Sequence, residues 1–168
     1  MSALPALTPT LPAIQPLEGF LTYRLHLVNK LTDKHSSDAY AKELGLAVGE
    51  ARCLAAIGNV ISGNAISGNA LSNKKFISIN DLAAAANLNK AQASRAAQAL
   101  VARSLALKTS SDTDGRGVAL SLTEAGLALW QQVMRLIAKR NASIFSCLTE
   151  LEQVQLGQML DKIAKNVQ

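Results

Sequence analysis

The fold depends on residues 77–100, which read ISINDLAAAANLNKAQASRAAQAL. Two alanine-rich segments of helical composition lie on either side of a polar break at Asn87-Leu88. Asn80, next to an acid, predicts the start of a first helix, and Asn89 predicts the start of a second, because asparagine side chains cap helix N-termini. Two short helices joined in this way predict a helix-turn-helix, a unit that places its second helix in the major groove of DNA.

A second informative stretch follows at residues 105–122, which read LALKTSSDTDGRGVALSL. Two short segments of strand composition around a glycine-rich, charged tip predict a β-hairpin. A hairpin that follows a helix-turn-helix has the pattern of a wing. The two stretches together therefore predict a unit that reads DNA with a helix and a wing.

Five short motifs resemble, in their order and spacing, the MarR family of winged-helix transcriptional regulators. They are LGLAVGEAR at 44–52, DLAAAANL at 81–88, ASR at 93–95, DGR at 114–116 and LTEAG at 122–126. The helices on either side also match in length and placement, so the resemblance covers the chain from residue 17 onward. It implies a mainly α fold with a small β-hairpin wing, in which a winged helix-turn-helix is flanked by N- and C-terminal dimerisation helices.

The chain divides into an arm, a helical region and a DNA-binding region. Residues 1–16 hold all four prolines and predict an extended arm. Residues 17–47 and 123–168 carry apolar stripes at helical spacing and predict a helical dimerisation region. Residues 48–122 predict the winged helix-turn-helix, with a loop insertion at about 59–75 in which the pentapeptide ISGNA occurs twice in succession.

The terminal regions predict long helices. One helix is expected from residue 17 to about residue 44 and another at 48–57. Thr123 is expected to cap a third, and Thr149 with Glu152 forms a capping box for the last. These stripes exceed what a winged helix needs to cover its own core, which indicates a subunit interface. The resemblance implies a homodimer, and two-fold symmetry then predicts two reading helices about one DNA turn apart on a pseudo-palindrome.

The second helix of the motif has two different faces on a helical wheel. The apolar face predicts packing against the first helix and contains Ala93, Ala96, Ala97, Leu100 and Val101. The opposite face predicts the DNA-reading surface and contains Ala91, Arg95, Gln98 and Ala102, flanked by Gln92 and Ser94. Arg95 can bind guanine N7 and O6 bidentately, and Gln92 or Gln98 can bind adenine N7 and N6. Lys90 and Ser94 lie near the helix start, so we expect them to contact the phosphates of DNA.

The predicted wing tip contains Asp114, Gly115, Arg116 and Gly117. The resemblance implies that Arg116 enters the minor groove, where narrow A·T-rich segments attract arginine electrostatically. It also implies that Asp114 holds the wing in shape. Family wings usually carry a second basic residue, whereas glycines flank Arg116 here. We therefore expect a weaker wing contact and greater reliance on the major-groove helix.

Positive charge is concentrated on the predicted reading unit. The net charge is +5, and seven cationic against three acidic side chains between Ser72 and Gly117 account for +4 of it. Such a segment suits double-stranded DNA, whose binding is dominated by phosphate contacts and counterion release. An ordinary solvated basic surface is the alternative interpretation.

Several other functional classes lack their sequence signatures. The chain has no Cys/His cluster at metal-ligand spacing, no phosphate-cradling glycine loop and no nucleophile elbow, so we expect neither an enzyme nor a cofactor or metal. No basic segment precedes an apolar block at the N-terminus, and no uncharged apolar run approaches the roughly 18–20 residues that span a bilayer. Two cysteines argue against a disulfide framework. We therefore expect a cytoplasmic protein without a membrane partner.

The resemblance also implies a small effector, an aromatic acid or phenol, that releases the DNA. The candidate contacts are Tyr23, Arg24 and His26 on the first predicted helix and Arg52 on the second. They qualify because a cationic or hydroxyl group beside an apolar cleft suits such a ligand. Surface ion pairing of the arginines and a structural role for His26 are the alternatives. Repression relieved by the effector is the usual family behaviour and is our default expectation.

Two other modes of regulation stay open. The first is a DNA-binding protein that acts constitutively, without an effector. The second is a thiol-based redox sensor that uses Cys53, which follows Arg52, or Cys147. The apolar residues that follow Cys53 (54–56) predict a buried and inert thiol, which disfavours this second mode.

Overall fold

The architecture is mainly helical with a small antiparallel sheet, as predicted. The computed structural model describes residues 16–63, 76–111 and 117–167. A 3-10 turn at Leu17–Gly19 is followed in chain order by α1 (Leu21–Leu44), α2 (Val48–Ile61), β1 (Ile77–Ser78), α3 (Ile79–Ala85), α4 (Lys90–Ala102), β2 (Ala106–Ser111), β3 (Gly117–Leu122), α5 (Glu124–Ile144) and α6 (Glu150–Val167).

Parts of three predicted features lie outside the described residues. These parts are residues 1–15 of the proline-rich arm, residues 64–75 of the insertion and residues 112–116 of the wing tip. The expectations for Asp114, Gly115 and Arg116 therefore stay predictions, and so does the role of the repeated pentapeptide.

The helix-turn-helix consists of α3 and α4. The prediction that Asn80 caps the first helix is wrong: Ser78 is the N-cap, and its hydroxyl accepts the Asp81 N–H at 3.1 Å. The helix begins earlier because the strand β1 ends at Ser78 and delivers the chain directly into α3. The predicted break is confirmed at Asn87, whose φ of +51° lies in the left-handed region. Ser104, after α4, has a similar φ of +55°.

The sheet has the strand order β1-β3-β2, and all pairs are antiparallel. The hairpin formed by β2 and β3 confirms the predicted strands of the wing. The strand β1 was not predicted, because two residues are too few to show an alternating pattern. Ile77 pairs with Leu120, and both side chains are 1% exposed. The wing is therefore attached to the start of the helix-turn-helix through a shared sheet.

The first two helices differ from their predicted bounds. α1 begins at Leu21 instead of residue 17, because the 3-10 turn occupies Leu17–Gly19. α2 continues to Ile61, past the predicted end at Ile57. Residues that were assigned to the start of the insertion are therefore helical.

The caps of the last two helices are as predicted. The Thr123 hydroxyl accepts the Gly126 N–H at 2.9 Å at the start of α5. Before α6, the Thr149 hydroxyl accepts the Glu152 N–H at 3.3 Å, and the Glu152 carboxylate accepts the Thr149 N–H at 2.8 Å. The bonds that Thr149 donates lower the pKa of the Glu152 carboxyl, because they favour its charged form.

The chain forms two compact units, Met1–Lys34 and His35–Gln168. In the first unit, none of the side chains described from residue 16 onward is buried. The second unit contains the hydrophobic core. Its largest fully buried aliphatic side chains are Leu46, Leu54, Ile57, Ile77, Leu82, Leu100, Leu120 and Val133. The core therefore joins α2, the helix-turn-helix, the sheet and α5.

Two glycines allow close contacts within the second unit. A Cβ atom at Gly58 would overlap the Trp130 indole, so α2 and α5 pack with the indole directly against backbone. A Cβ atom at Gly126 would overlap the Leu105 carbonyl oxygen, so the first turn of α5 lies directly against the segment between α4 and β2. Neither contact leaves room for a larger residue.

Within the described residues, no single helix is long and apolar enough to cross a membrane. The consecutive helices α1 and α2 satisfy a length-and-composition criterion only when taken together, and buried core helices satisfy the same criterion. α2 is such a core helix, since Ala51, Cys53, Leu54 and Ile57 are fully buried.

Candidate nucleic-acid interface

α4 packs with one face and exposes the other, which confirms the helical-wheel prediction. The packed face contains Ala93, Ala96, Ala97 and Leu100, which are buried, and Val101, which is half-buried. The outward face contains Ala91, Arg95, Gln98 and Ala102, all exposed. Of the two flanking residues, Gln92 is exposed and Ser94 is half-buried. The second helix of the motif therefore presents the predicted set of side chains at the surface.

The first turn of α4 is held by a reciprocal capping box. The Asn89 side chain accepts the Gln92 N–H at 2.8 Å, and the Asn89 N–H donates to the Gln92 side-chain oxygen at 3.0 Å. The Gln92 amide is thus restrained at the helix start. Bidentate binding of adenine needs both the oxygen and the NH2 group of an amide. Gln98 is therefore the better candidate for that contact, while Lys90 is exposed at the first helical position.

Arg95 and Gln98 lie three residues apart on the exposed face of α4, so their side chains are neighbours. No residue within the described ranges forms an ion pair or hydrogen bond with the Arg95 guanidinium. Ala91 and Ala102 on the same face are small, which lets a groove approach the helix backbone closely. An exposed, unpaired guanidinium between small neighbours is what bidentate recognition of guanine requires.

A crevice of about 350 Å³ lies between α4 and the sheet. Its polar lining consists of Ser94, Gln98 and Lys108, and the rest is mainly apolar. Lys108 extends the cationic surface from α4 to the wing. Sequence reasoning counted Lys108 in the basic segment without giving it a role. The strand register identifies its position: Lys108 lies opposite the buried Leu120 and is therefore on the α4 side of the hairpin.

The C-terminal end of α4 is tied to the turn between α1 and α2. A terminal nitrogen of Arg103 donates to the Gly45 carbonyl oxygen at 3.1 Å and lies 3.3 Å from a Glu50 carboxylate oxygen. Sequence reasoning missed this contact. Its partners are 58 and 53 residues away in the chain, so no local spacing indicates them.

The two strands of the wing converge on the predicted tip, with Ser111 paired to Gly117. Asp114 and Arg116 fall between these two positions and outside the described residues. The minor-groove contact of Arg116 and the shaping role of Asp114 are therefore untested.

The four candidate effector contacts belong to different units of the chain. Tyr23, Arg24 and His26 lie in the first two turns of α1, where Tyr23 is half-buried and the other two are exposed. Arg52 is half-buried on α2, in the unit that begins at His35. Their joint participation in a ligand pocket stays a prediction.

A polar cluster that sequence reasoning did not identify links α1 to α5. Arg140 donates to the Tyr40 hydroxyl at 3.3 Å and to the Ser36 hydroxyl. Its guanidinium carbon also lies 5.4 Å from the centroid of the Tyr40 ring, within the range of a cation–π contact. Ser36 is buried, so these bonds satisfy a polar group inside the helical interface.

The two cysteines lie in different environments. Cys53 is fully buried, as predicted, and burial raises the pKa of its thiol to about 11. The thiol is therefore protonated and unreactive at neutral pH. Cys147 is exposed between α5 and α6. Within the parts of the chain that the structure describes, no three His, Cys, Asp or Glu residues are grouped to hold a metal ion.

Solved structures of bacterial regulators share this architecture. S. aureus MepR in complex with DNA matches with a TM-score of 0.72 at 16% identity, over 89% of this chain and 99% of MepR. Bordetella bronchiseptica BpsR matches with a TM-score of 0.73 at 18% identity, over 90% of this chain and 97% of BpsR. A MarR-family regulator from Silicibacter pomeroyi matches with a TM-score of 0.70 at 22% identity, over 91% and 93% of the two chains. The chain has the MarR winged-helix fold.

The comparisons of sequence alone found no match. No protein-family model matches the chain, and no curated protein matches it. The MepR structure is a complex with DNA, and the BpsR structure concerns regulation of DNA binding by 6-hydroxynicotinic acid. Those ligands belong to those two proteins.

Proposed function

We propose that this chain is a sequence-specific, DNA-binding transcriptional regulator of the MarR type, without catalytic activity. The observation that carries the proposal is the exposed face of α4, where Arg95 and Gln98 lie between small side chains while the opposite face is packed into the core. In a helix-turn-helix this second helix enters the major groove of DNA. The structure of MepR, which shares the fold, is a complex with DNA, and this supports DNA as the ligand.

Base recognition is assigned to the middle of α4. Arg95 would bind guanine N7 and O6 through two parallel N–H donors, and Gln98 would bind adenine N7 and N6 one helical turn further on. Gln92 would contribute mainly through its NH2 group, because its oxygen accepts the Asn89 N–H. The preference for guanine at one position should therefore depend chiefly on Arg95.

Phosphate contacts are assigned to the edges of the same surface. Lys90 and Ser94 near the start of α4 would bind one strand of the backbone, aided by the positive end of the helix dipole. Lys108, across the crevice, and Arg116 at the wing tip would extend the contact toward the minor groove. These contacts hold the protein on the duplex without selecting a sequence.

We further propose a homodimer. α6 contributes no buried residue, yet it carries the exposed apolar side chains Leu151, Val154, Met159, Leu160, Ile163 and Val167. Most of the stability of a helix in a protein comes from packing of its apolar face, and α6 has no buried residue in a single chain. Residues 17–31 carry a second exposed set, which includes Leu17, Leu21, Val28 and Leu31. A second copy that covers both sets would present two α4 helices about 34 Å apart, one turn of DNA.

Regulation by a small aromatic acid or phenol that relieves repression is the proposed mode. One support is the regulation of DNA binding by 6-hydroxynicotinic acid in BpsR, which shares the fold. The other is that Tyr23, Arg24, His26 and Arg52 offer a hydroxyl group and nitrogen donors for such a ligand. A constitutive DNA-binding protein is the alternative. Thermal-shift measurements with aromatic acids distinguish the two, because a ligand that prefers the folded state raises the melting temperature. Redox sensing through Cys53 is disfavoured by its burial.

The test is a binding titration on a duplex selected from genomic fragments. Arg95→Ala should lower affinity by about 1–3 kcal/mol and relax the base preference at one position. Arg116→Ala should weaken binding to all duplexes by a similar factor and reduce the salt dependence. Arg135→Ala is the matched control, because Arg135 is exposed on α5 and bonds its own helix at Gln131.

The outcome depends on comparing selected and scrambled duplexes. Equal binding of both duplexes by the wild-type protein at physiological ionic strength would refute sequence-specific regulation. Wild-type behaviour of Arg95→Ala on both duplexes would refute only the assignment of base recognition to that residue.

A further inference from the structure

One cationic side chain of the winged helix-turn-helix, that of Arg103, forms a hydrogen bond and an ion pair within the protein. Arg103 is the C-cap residue of α4, and its guanidinium contacts Gly45 at 3.1 Å and Glu50 at 3.3 Å. The side chain of Glu50 is only 17% exposed, compared with 41% for Arg103. The pair is thus partly shielded from water, and its guanidinium contacts the turn between α1 and α2 and the first turn of α2.

Both acceptors of Arg103 are held in place. The Glu50 carboxylate also accepts the Ala47 N–H at 3.0 Å, a bond that caps α2. Gly45 follows the last residue of α1 with φ at +61°, and its N–H donates to Ala41, so the direction of its carbonyl group is set by the end of α1. Arg103 therefore binds at a turn between two helices in which the N–H groups of Gly45 and Ala47 are both hydrogen-bonded.

The residues after Arg103 are tied to α5. The Thr123 hydroxyl donates to the Ser104 carbonyl oxygen at 2.8 Å, and the Thr123 N–H donates to the Leu105 carbonyl oxygen at 3.1 Å. We name residues 103–105 the α4 junction. Through this junction the end of the reading helix is connected both to the α1–α2 turn and to the start of α5.

The packing of α4 explains why the polar contact of Arg103 at its end influences the orientation of the helix. Its buried face consists largely of alanines, and a Cβ atom on Gly49 of α2 would lie 3.9 Å from the Ala96 Cβ. Small side chains bring the helices close but interlock little, so they resist sliding and tilting of α4 less than long side chains would. Arg103 adds a directional contact at the end opposite the Asn89 capping box.

We propose that Arg103 is a positioning residue for DNA recognition: through Glu50 and Gly45 it holds α4 at the angle at which Arg95 and Gln98 meet base edges. The inference rests on the proposed function. Arg103 acts through the helix and not on the DNA. Its loss therefore lowers specific affinity and leaves the phosphate-driven, non-specific affinity unchanged.

The experiment compares Arg103→Ala with wild type and with the charge-matched control Arg135→Ala. Each protein is titrated on the selected duplex and on a scrambled duplex of the same length, at several salt concentrations. We expect Arg103→Ala to bind the selected duplex about tenfold more weakly, or about 1.4 kcal/mol. Binding to the scrambled duplex and the slope of log affinity against log salt should match those of Arg135→Ala.

A second variant, Glu50→Gln, replaces the acidic partner of the Arg103–Glu50 ion pair. Glutamine keeps an oxygen that can cap α2 but loses the charge that pairs with Arg103. Removing an acid ordinarily strengthens DNA binding, because it removes repulsion from phosphates. We expect the opposite on the selected duplex, a severalfold loss. The double variant Arg103→Ala/Glu50→Gln should be no weaker than Arg103→Ala alone, since both changes break one contact.

Three results would overturn the inference. One is that Arg103→Ala weakens binding to both duplexes equally and that its slope of log affinity against log salt is smaller in magnitude by about one than that of Arg135→Ala. Such a result is typical of a lost phosphate contact. Another is wild-type affinity of Arg103→Ala for the selected duplex. A third is a gain in specific affinity by Glu50→Gln, which decides the question even if Arg103→Ala fails to fold. If the wild-type protein does not discriminate between the duplexes, the proposed function fails first and the inference with it.

Discussion

The substitution Gly126→Ala should destabilise the protein, although alanine normally stabilises a helix relative to glycine. The new Cβ atom would overlap the Leu105 carbonyl oxygen, so α5 must move away from the α4 junction. That movement breaks two bonds, from the Thr123 N–H to Leu105 at 3.1 Å and from the Thr123 hydroxyl to Ser104 at 2.8 Å. Each bond contributes about 1 kcal/mol.

The expected change in the free energy of unfolding combines two destabilising contributions, the lost bonds and overpacking, with one stabilising contribution, helix propensity. Overpacking adds a cost of about 1–3 kcal/mol to that of the two bonds, and the higher helix propensity of alanine offsets about 1 kcal/mol. The net expected loss in the free energy of unfolding is about 2–4 kcal/mol. With a urea dependence of about 2 kcal/mol per molar, the unfolding midpoint should fall by about 1–2 M.

The assay is urea unfolding followed by far-ultraviolet circular dichroism, at one fixed protein concentration because the proposed dimer makes stability concentration-dependent. Gly157→Ala in α6 is the matched control. A Cβ atom there meets nothing within 4 Å, so the same change should stabilise by up to about 1 kcal/mol. A midpoint for Gly126→Ala at or above that of the wild type would refute the role assigned to this close contact.

Two further predictions concern the cap of α4 and the buried thiol. Asn89→Ala should lower the free energy of unfolding by about 1 kcal/mol, because it removes the capping box; an unchanged thermal midpoint would contradict this. Iodoacetamide at pH 8 should modify Cys147 and spare Cys53 until urea unfolds the chain, as read by mass spectrometry. Because burial raises the pKa of Cys53 to about 11, the folded state holds this proton more tightly than the unfolded chain. Its contribution to stability should therefore be present below about pH 9 and be lost as the pH rises toward 11, a trend absent in Cys53→Ala.

The parts of the interface that sequence predicts correctly are those with local signals. The faces of α4 follow from the spacing of alanines and polar residues within one helix. Asn89 and Thr123 were identified as caps because a cap bonds an N–H only three residues away. The burial of Cys53 was also predictable, since its apolar neighbours lie on the same short helix.

The features that sequence reasoning missed depend on contacts between distant residues. The strand β1 exists because Ile77 pairs with Leu120, and this pairing also moves the helix cap from Asn80 to Ser78. Arg103 could not be distinguished from the other cations of the basic segment, because its partner Glu50 lies 53 residues earlier. Long-range pairing of this kind leaves no periodic pattern in the chain.

The residues on either side of α4 have left-handed backbone conformations, which limits the length of DNA that α4 can contact. Asn87 and Ser104 interrupt right-handed helical geometry, so the intervening helix is confined to the 13 residues Lys90–Ala102. At 1.5 Å per residue it is about 20 Å long, and it therefore passes at most about six base pairs of 3.4 Å rise. If α4 reads DNA as proposed, each subunit of the proposed dimer would read only a short half-site. Additional sequence information would then come from the second subunit, the wing or the bending energy of the base pairs in between.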